Sequence, residues 1–224
     1  MASNEEEQSS TAPEVRLSAL QLDALQEVST IGMGNATIAF SELIRGKVDI
    51  KLSKLELVPV DRISSRLGQK NMLVTGIYMR MRGDINGTSL LFFPRESAIV
   101  LADILNEREP GTTNVLREID RSALGELGSI LSASYLNAIA DLLDLDVEIS
   151  VPSVVFDIAS AIIYFVLLSS HDKIKYSLVS QAEFVSSDNS LKGEFLFLLD
   201  EATIIKLLDS VYNKLKRSKG GGSA

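Results

Sequence analysis

Glu27 is followed three residues later by Thr30, and Glu126 three residues later by Ser129. On an α-helix, side chains at i and i+3 share one face about a turn apart, so each pair sets a carboxylate beside a hydroxyl that can donate and accept. Spacing alone makes these two small polar sites, and it equally fits the solvated face of an amphipathic helix. Other polar residues offer less chemistry. His171 is the only histidine and stands in a polar SSHDK turn with no nucleophile or ligand set nearby, which argues against a triad or a histidine metal site. Asn137 lies about three turns beyond Glu126, and Asp103, Asp141 and Asp144 read as solvated helix positions. No Walker or dinucleotide glycine pattern occurs. With no cysteine in 224 residues, a disulfide framework, a thiolate metal site and a cysteine nucleophile are excluded together.

Composition narrows the partners. Twenty-two basic against 30 acidic residues give a net charge of −8; such a surface repels a phosphate backbone, so protein partners are expected and nucleic acid is not. A hydrophobic share of 46% and a charged share of 23% fit a globular chain and not a disordered one. The missing cysteines make a cytoplasmic location the simplest expectation. Residues 1–16 are acidic and Ser-rich, unlike the basic-then-apolar pattern of a secretory signal, and are expected to be a disordered tail. The run Ile158–Leu168 is about half the length needed to cross a bilayer and reads as core, so no membrane insertion is expected. The glycine run in Lys219–Ala224 reads as a flexible tail, placed at 217–224.

Elements must hold the two polar pairs in place. SALQLDALQEVSTI, with Leu20, Leu22, Leu25, Val28 and Ile31 at helical spacing and Ser18 and Gln21 able to form a capping box, predicts a first helix that ends or loosens at Gly32 and Gly34. NATIAFSELI predicts a second helix closed by Gly46. VDIKLSKLELVPV alternates like a strand. Met72–Arg82 and Thr88–Phe93 follow as strands around an Asn86–Gly87 hairpin signal, and Pro94 opens a helix. After Glu109–Gly111 the plan repeats: helix over 120–145, strand over Val147–Val155, strands near Lys173–Ser186 and Leu191–Leu199, and a helix from about Asp200 to Lys216.

The repetition extends to letters. Laying Asp23–Ser53 over Ser122–Pro152 without a gap matches Ala24 with Ala123, Leu25 with Leu124, Glu27 with Glu126, Ile31 with Ile130, Val48 with Val147 and Ile50 with Ile149. GTSLLFFPRESAIVLADIL from Gly87 aligns in the same way with GEFLFLLDEATIIKLLDSV from Gly193. A tandem duplication explains both. The predicted fold is α/β: a pseudo-two-fold duplicated α-α-β-β-β-α unit with a mainly antiparallel sheet and helices packed outside, the first half spanning 17–109 and the second 110–216.

QLDALQEVSTIGMGNATIAFSELIRGKVDI and RSALGELGSILSASYLNAIADLLDLDVEISVPSVVFDIASAI resemble the two halves of the CheC family of chemotaxis proteins, which shares its motif with CheX and FliY. That motif is Asp or Ser, three residues, Glu, two residues, Asn, twenty-two residues, Pro. Here the second copy has Ser122, Glu126, Ser129 and Pro152, and the first has Asp23, Glu27, Thr30 and Ser53. The resemblance covers roughly Leu20 to Tyr212 and implies that Asn35, in the family's GxGNA segment, fixes a helix junction. It implies a phosphatase of the phosphorylated response regulator CheY. The motif helix would lie across the regulator, Asp23, Glu27, Ser122 and Glu126 contacting it, each Glu meeting its active-site lysine, and an Asn orienting the attacking water. It implies no cofactor in this chain and Mg2+ on the regulator, with the receptor deamidase CheD as a further partner of some members. Thr30 and Ser129 replace both asparagines. Three readings follow: a regulator-binding protein with weak or lost phosphatase activity, an active phosphatase, and an adaptor for CheD.

Overall fold

The computed structural model describes residues 17–60, 62–63, 72–169, 176–186 and 191–220; His171 and residues 1–16 fall outside them. Its elements are α1 (Ala19–Leu43), β1 (Val48–Pro59), β2 (Leu73–Gly83), β3 (Gly87–Pro94), α2 (Arg95–Leu105), α3 (Glu118–Leu143), β4 (Val147–Ile149), β5 (Ser153–Ile158), α4 (Ala159–Ser169), β6 (Tyr176–Ser186), β7 (Glu194–Leu199) and α5 (Glu201–Gly220). The boundary expected at residue 216 falls inside α5.

Helix α1 begins with the capping box read at Ser18: Gln21 N donates to Ser18 Oγ at 3.2 Å and Ser18 N donates to Gln21 Oε1 at 2.9 Å. The break expected at Gly32 is absent, and the two helices predicted there are one helix of 25 residues. Gly32 serves packing instead. It is buried beneath Tyr135 of α3, where a β-carbon would come within 2.7 Å of Tyr135 Cδ2. The helix stops at Arg45, whose φ of 50° is left-handed, and Gly46 N donates to Ser41 O at 3.1 Å. The second half repeats this stop with Asp144 at φ 55° and Leu145 N donating to Ala140 O at 2.9 Å. A left-handed residue after the last turn satisfies orphan carbonyls of the helix end.

All strand pairs are antiparallel, in the order β1-β6-β7-β3-β2-β4, with β5 also paired to β2. The halves exchange strands: β1 of the first pairs β6 of the second, and β4 and β5 of the second pair β2 of the first. At the centre, Leu90 of β3 faces Leu196 of β7. These are equivalent residues of the duplication, so the pseudo-two-fold axis passes between them. Gly87 lies where a β-carbon would be 2.2 Å from Leu198 O, which requires glycine there.

Alternation along the central strands divides the interior. Leu91, Phe93, Phe195 and Phe197 join the cluster under α1, α2, α3 and α5, whereas Leu90, Phe92, Leu196 and Leu198 join Ile162, Ile163 and Val166 of α4 on the opposite face. The apolar run expected to be core is therefore a helix with one buried side; Tyr164, Phe165 and Leu168 face outward. The duplication carries β1 onto β4 and β5 together, with one local difference. In β1 the ladder shifts between Leu52 and Lys54, at Ser53, but the strand continues; at the equivalent Pro152 it is interrupted. Proline has no N–H to give a ladder.

Two glycines of helices test these contacts. A β-carbon at Gly128 would lie 2.5 Å from Ile77 Cγ2, whereas at Gly34 it meets nothing within 4 Å. Gly128→Ala lowers unfolding free energy by about 1–3 kcal/mol through overpacking, and Gly34→Ala raises it by up to about 1 kcal/mol through helix propensity; urea unfolding curves measure both.

Candidate functional site

The first motif face is open to solvent. Asp23, Glu27 and Thr30 are all exposed on α1. Thr30 Oγ1 donates to Gln26 O at 2.8 Å, a bond back along its own helix that spends the hydroxyl proton. Asn35 does likewise, with Nδ2 3.0 Å from Ile31 O; it lies inside α1, so the junction it was expected to fix does not exist. On α3, Ser122 and Glu126 are exposed, but Ser129 is half-buried and its Oγ points to Met79 Sδ of β2 at 3.9 Å, a weak contact. Each face thus presents a carboxylate, and neither hydroxyl is aimed outward as a donor. The two pairs stand on separate helices, and no hydrogen bond joins them among the described residues.

The helices themselves are held differently. At Gly125 a β-carbon would be 3.3 Å from Pro152 Cγ and 3.4 Å from Val154 Cγ2, so the motif proline supports α3 at the turn that bears Glu126. With Gly128 against Ile77, α3 lies directly on β2. Its counterparts on α1 are Gln26 and Ser29, which carry side chains. Ser29 meets the other helix instead: Tyr135 Oη donates to Ser29 Oγ at 3.1 Å. Burial pushes the Tyr135 hydroxyl up to about 12, against the downward pull of Ser29 and Ser180, which keeps it a neutral donor.

Asp103, expected to be solvated, is wholly buried. It accepts hydrogen bonds from Thr112 N at 2.9 Å, Thr113 N at 3.1 Å and Thr113 Oγ1 at 2.5 Å, and pairs with Arg108 Nε at 3.2 Å. Arg108 also pairs with Asp120, equally buried, which accepts from Arg117 N at 2.7 Å in the first turn of α3. Two buried carboxylates around one guanidinium therefore pin the segment between the halves to the start of the motif helix. Asp103 and Asp120, with Arg108 between them, turn inward at a spacing that leaves no periodic signal in the sequence. Asn137, Asp141 and Asp144 are exposed. Among the described residues no group of three or more His, Asp or Glu side chains could hold a metal, and no helix is long and apolar enough to cross a membrane.

Fold and site define a class: a duplicated sheet carrying two helices, each with an exposed glutamate face. Residues 119–156 match the profile of the CheC-like family. The chain is similar to the CheY-P phosphatase CheC of Bacillus subtilis, with 29% identity over 191 residues that cover 84% of this chain and 91% of the relative. Among solved structures it resembles Thermotoga maritima FliY, with a TM-score of 0.68 at 18% identity over 89% of this chain and 100% of the other. CheX in the CheX–CheY–BeF3–Mg2+ complex of Borrelia burgdorferi shares the fold, with a TM-score of 0.55 at 16% identity over 80% and 99%. Over residues 119–156 the chain is CheC-like, it is similar to CheC along most of its length, and it shares the fold of FliY and CheX.

The Asp103 network predicts an acid-side loss of stability. Burial alone would raise the Asp103 carboxyl, but the bonds from Thr113 and Thr112 and the Arg108 charge outweigh it and hold the group below its usual range. A folded-state value below that of the unfolded chain, about 3.9, contributes stability that is fully present above that pH and is lost as pH falls through the folded value. Asp103→Asn costs about 2–3 kcal/mol at neutral pH and flattens the decline of the urea midpoint below pH 4.

Proposed function

We propose that this chain is a chemotaxis regulator that recognises phosphorylated CheY through the exposed faces of α1 and α3, with phosphatase activity weak or lost. The observation that carries this reading is the state of the four motif side chains. Glu27 and Glu126 are exposed and available to an ammonium group, whereas Thr30 is bonded to Gln26 O and Ser129 turns to Met79. The family resemblance gives the glutamates the anchoring task and the missing asparagines the water-orienting task. A carboxamide holds a donor and an acceptor in one plane at the end of a longer arm; a back-bonded threonine and a half-buried serine do neither. Phosphoryl transfer depends above all on such positioning. Mg2+ belongs to the regulator in this reading, and the similarity to CheC and the CheX complex with CheY supports the choice of partner.

A second partner has an observation of its own. Tyr164, Phe165 and Leu168 form an outward apolar side on α4, across the sheet from both motif helices. An exposed apolar patch of this kind marks a protein-binding surface; it supports a second protein partner alongside regulator binding, and the choice of the deamidase CheD rests on the family resemblance. Loss of co-purification with CheD in Leu168→Ser tests that role.

Following phosphate loss from CheY with and without saturating protein separates regulator binding from catalysis. The unmodified chain is expected to give little acceleration, and robust turnover would reverse the reading. Thr30→Asn with Ser129→Asn is expected to raise the rate about a hundredfold, the converse of deleting one positioned donor. Glu27→Ala with Glu126→Ala is expected to weaken binding of phosphorylated CheY by about 1.5–3 kcal/mol, the range for hydrogen bonds to charged groups; unchanged affinity would place the partner elsewhere.

A further inference from the structure

A groove of about 330 Å³ opens beside the N-terminal end of α3, walled by Leu73, Val115, Leu116 and Phe156, with Arg95 and Asp157 among its polar lining. Three of its apolar walls are offered to solvent: Val115 is 72% exposed, Leu73 66% and Phe156 44%. Leu116 is shared with an adjoining depression that reaches Arg117, Arg121 and the motif residue Ser122. The groove is thus continuous with the face that bears Glu126. Its rim is ordered. Arg121 donates to Val154 O at 2.9 Å and its guanidinium lies 5.4 Å from the centre of the Phe156 ring, while Arg95 donates to Asn114 O at 2.8 Å.

The equivalent positions of the first half carry different residues. The counterparts of Arg117 and Arg121 are Ser18 and Leu22, and those of Val154 and Phe156 are Leu55 and Leu57. Leu55 is buried, and Leu22 and Leu57 pack on the main core. Where the first half closes the corner with leucine, the second turns an arginine outward over an exposed phenylalanine. Arg95, Arg117 and Arg121 outnumber the facing acids Glu118 and Asp157, a local positive rim on a chain of net charge −8. A regulator whose reacting group is an aspartyl phosphate is negative at the face that α3 would cover.

We propose that this groove is a specificity pocket for the regulator docked on α3, taking an apolar side chain flanked by a carboxylate of that regulator. The inference rests on the regulator-binding reading above and makes the α3 face the discriminating one. Arg121 fixes the carboxylate while staying stacked on Phe156, and Val115 and Leu73 cover the apolar group. Binding on α1 would lack this contact.

The test measures affinity for CheY loaded with beryllofluoride and Mg2+, using the full chain, Val115→Asp, Arg121→Glu and Arg121→Lys. Val115 and Arg121 are exposed, and unchanged urea midpoints verify that the variants fold. Val115→Asp and Arg121→Glu are each expected to weaken binding about tenfold or more, from a charge placed in an apolar contact and a reversed rim charge. Arg121→Lys is expected to retain most of the affinity at low salt. Binding that falls with Glu126→Ala but is unmoved by Val115→Asp and Arg121→Glu would overturn the groove alone. A self-association dissolved by Val115→Asp without effect on regulator binding would overturn it in favour of a second copy. If the unmodified chain does not bind the loaded regulator, the reading beneath the proposal fails and the groove assignment with it.

Discussion

Helices α1 and α3 meet at Gly32 and Tyr135 with no room for a β-carbon, and the direction of both motif faces follows from that contact. A tyrosine this deeply buried must find a partner for its hydroxyl, and Ser29, one turn before Gly32, supplies it. The ring is held from the other side by Phe197, stacked at 4.2 Å between centroids, so it is locked between a helix and the sheet. Fixing Ser29 and Gly32 inward fixes the rotation of α1. Asp23, Glu27 and Thr30 are then turned outward, with Thr30 bonded back to Gln26 O of the same helix. The polar face needs no local support because the apolar face leaves the helix one rotation.

Exchange of strands between the halves makes this arrangement indivisible. With β1 paired to β6 and β5 to β2, neither half has a complete sheet on its own, and the Leu90–Leu196 pairing at the axis joins the two central strands. Within that frame the halves have diverged where a helix meets the sheet. Gly125 and Gly128 bring α3 down onto Pro152 and Ile77, while Gln26 and Ser29 stand at the same points of α1. Pro152 interrupts its strand, and Ser53 leaves only a register shift. A proline that ends a ladder and fills the space above a glycine gives the second motif helix a rigid seat. The first motif helix takes its rigidity from its neighbour instead.

Local patterns in the chain were good guides wherever one rule acted alone. The Ser18 capping box, the alternation of β1 and the Asn86–Gly87 hairpin signal between β2 and β3 depend on near neighbours, and all three appear in the structure. Gly32 shows where such rules conflict. Helix propensity disfavours glycine by about 1 kcal/mol, so a glycine pair reads as a break, but a helix that packs face to face on a large ring needs a residue with no side chain. The same sequence signal has opposite meanings, and only the partner 103 residues away, Tyr135, decides between them. Asp103 and Asp120 were hidden for a similar reason: their burial depends on one arginine in a loop between them. The motif glutamates were legible because exposure is what an isolated helix pattern predicts for them. The groove beside α3 was not, since its walls come from β2, β5, α2 and the segment before α3.

Under the proposed reading, the placement of the two hydroxyls separates what binding asks of these faces from what catalysis asks. Glutamate and its i+3 neighbour share a face but no contact, so replacing one leaves the other where it was. Anchoring asks only for an exposed charge, which the helix rotation guarantees. Orienting a water asks for a longer arm with both donor and acceptor in fixed positions, a demand that nothing in the packing of α1 or α3 enforces. The two positions are also unequal. Thr30 is exposed, so a longer side chain there meets no wall. Ser129 is half-buried against Met79, so a longer one must turn outward over a helix that Pro152, Gly125 and Gly128 already hold still. The α1 face has the space and the α3 face has the rigidity, and the groove with Arg121 and Phe156 lies beside the rigid one. Discrimination between partners belongs with rigidity, because a contact that must reject alternatives cannot be allowed to adjust to them.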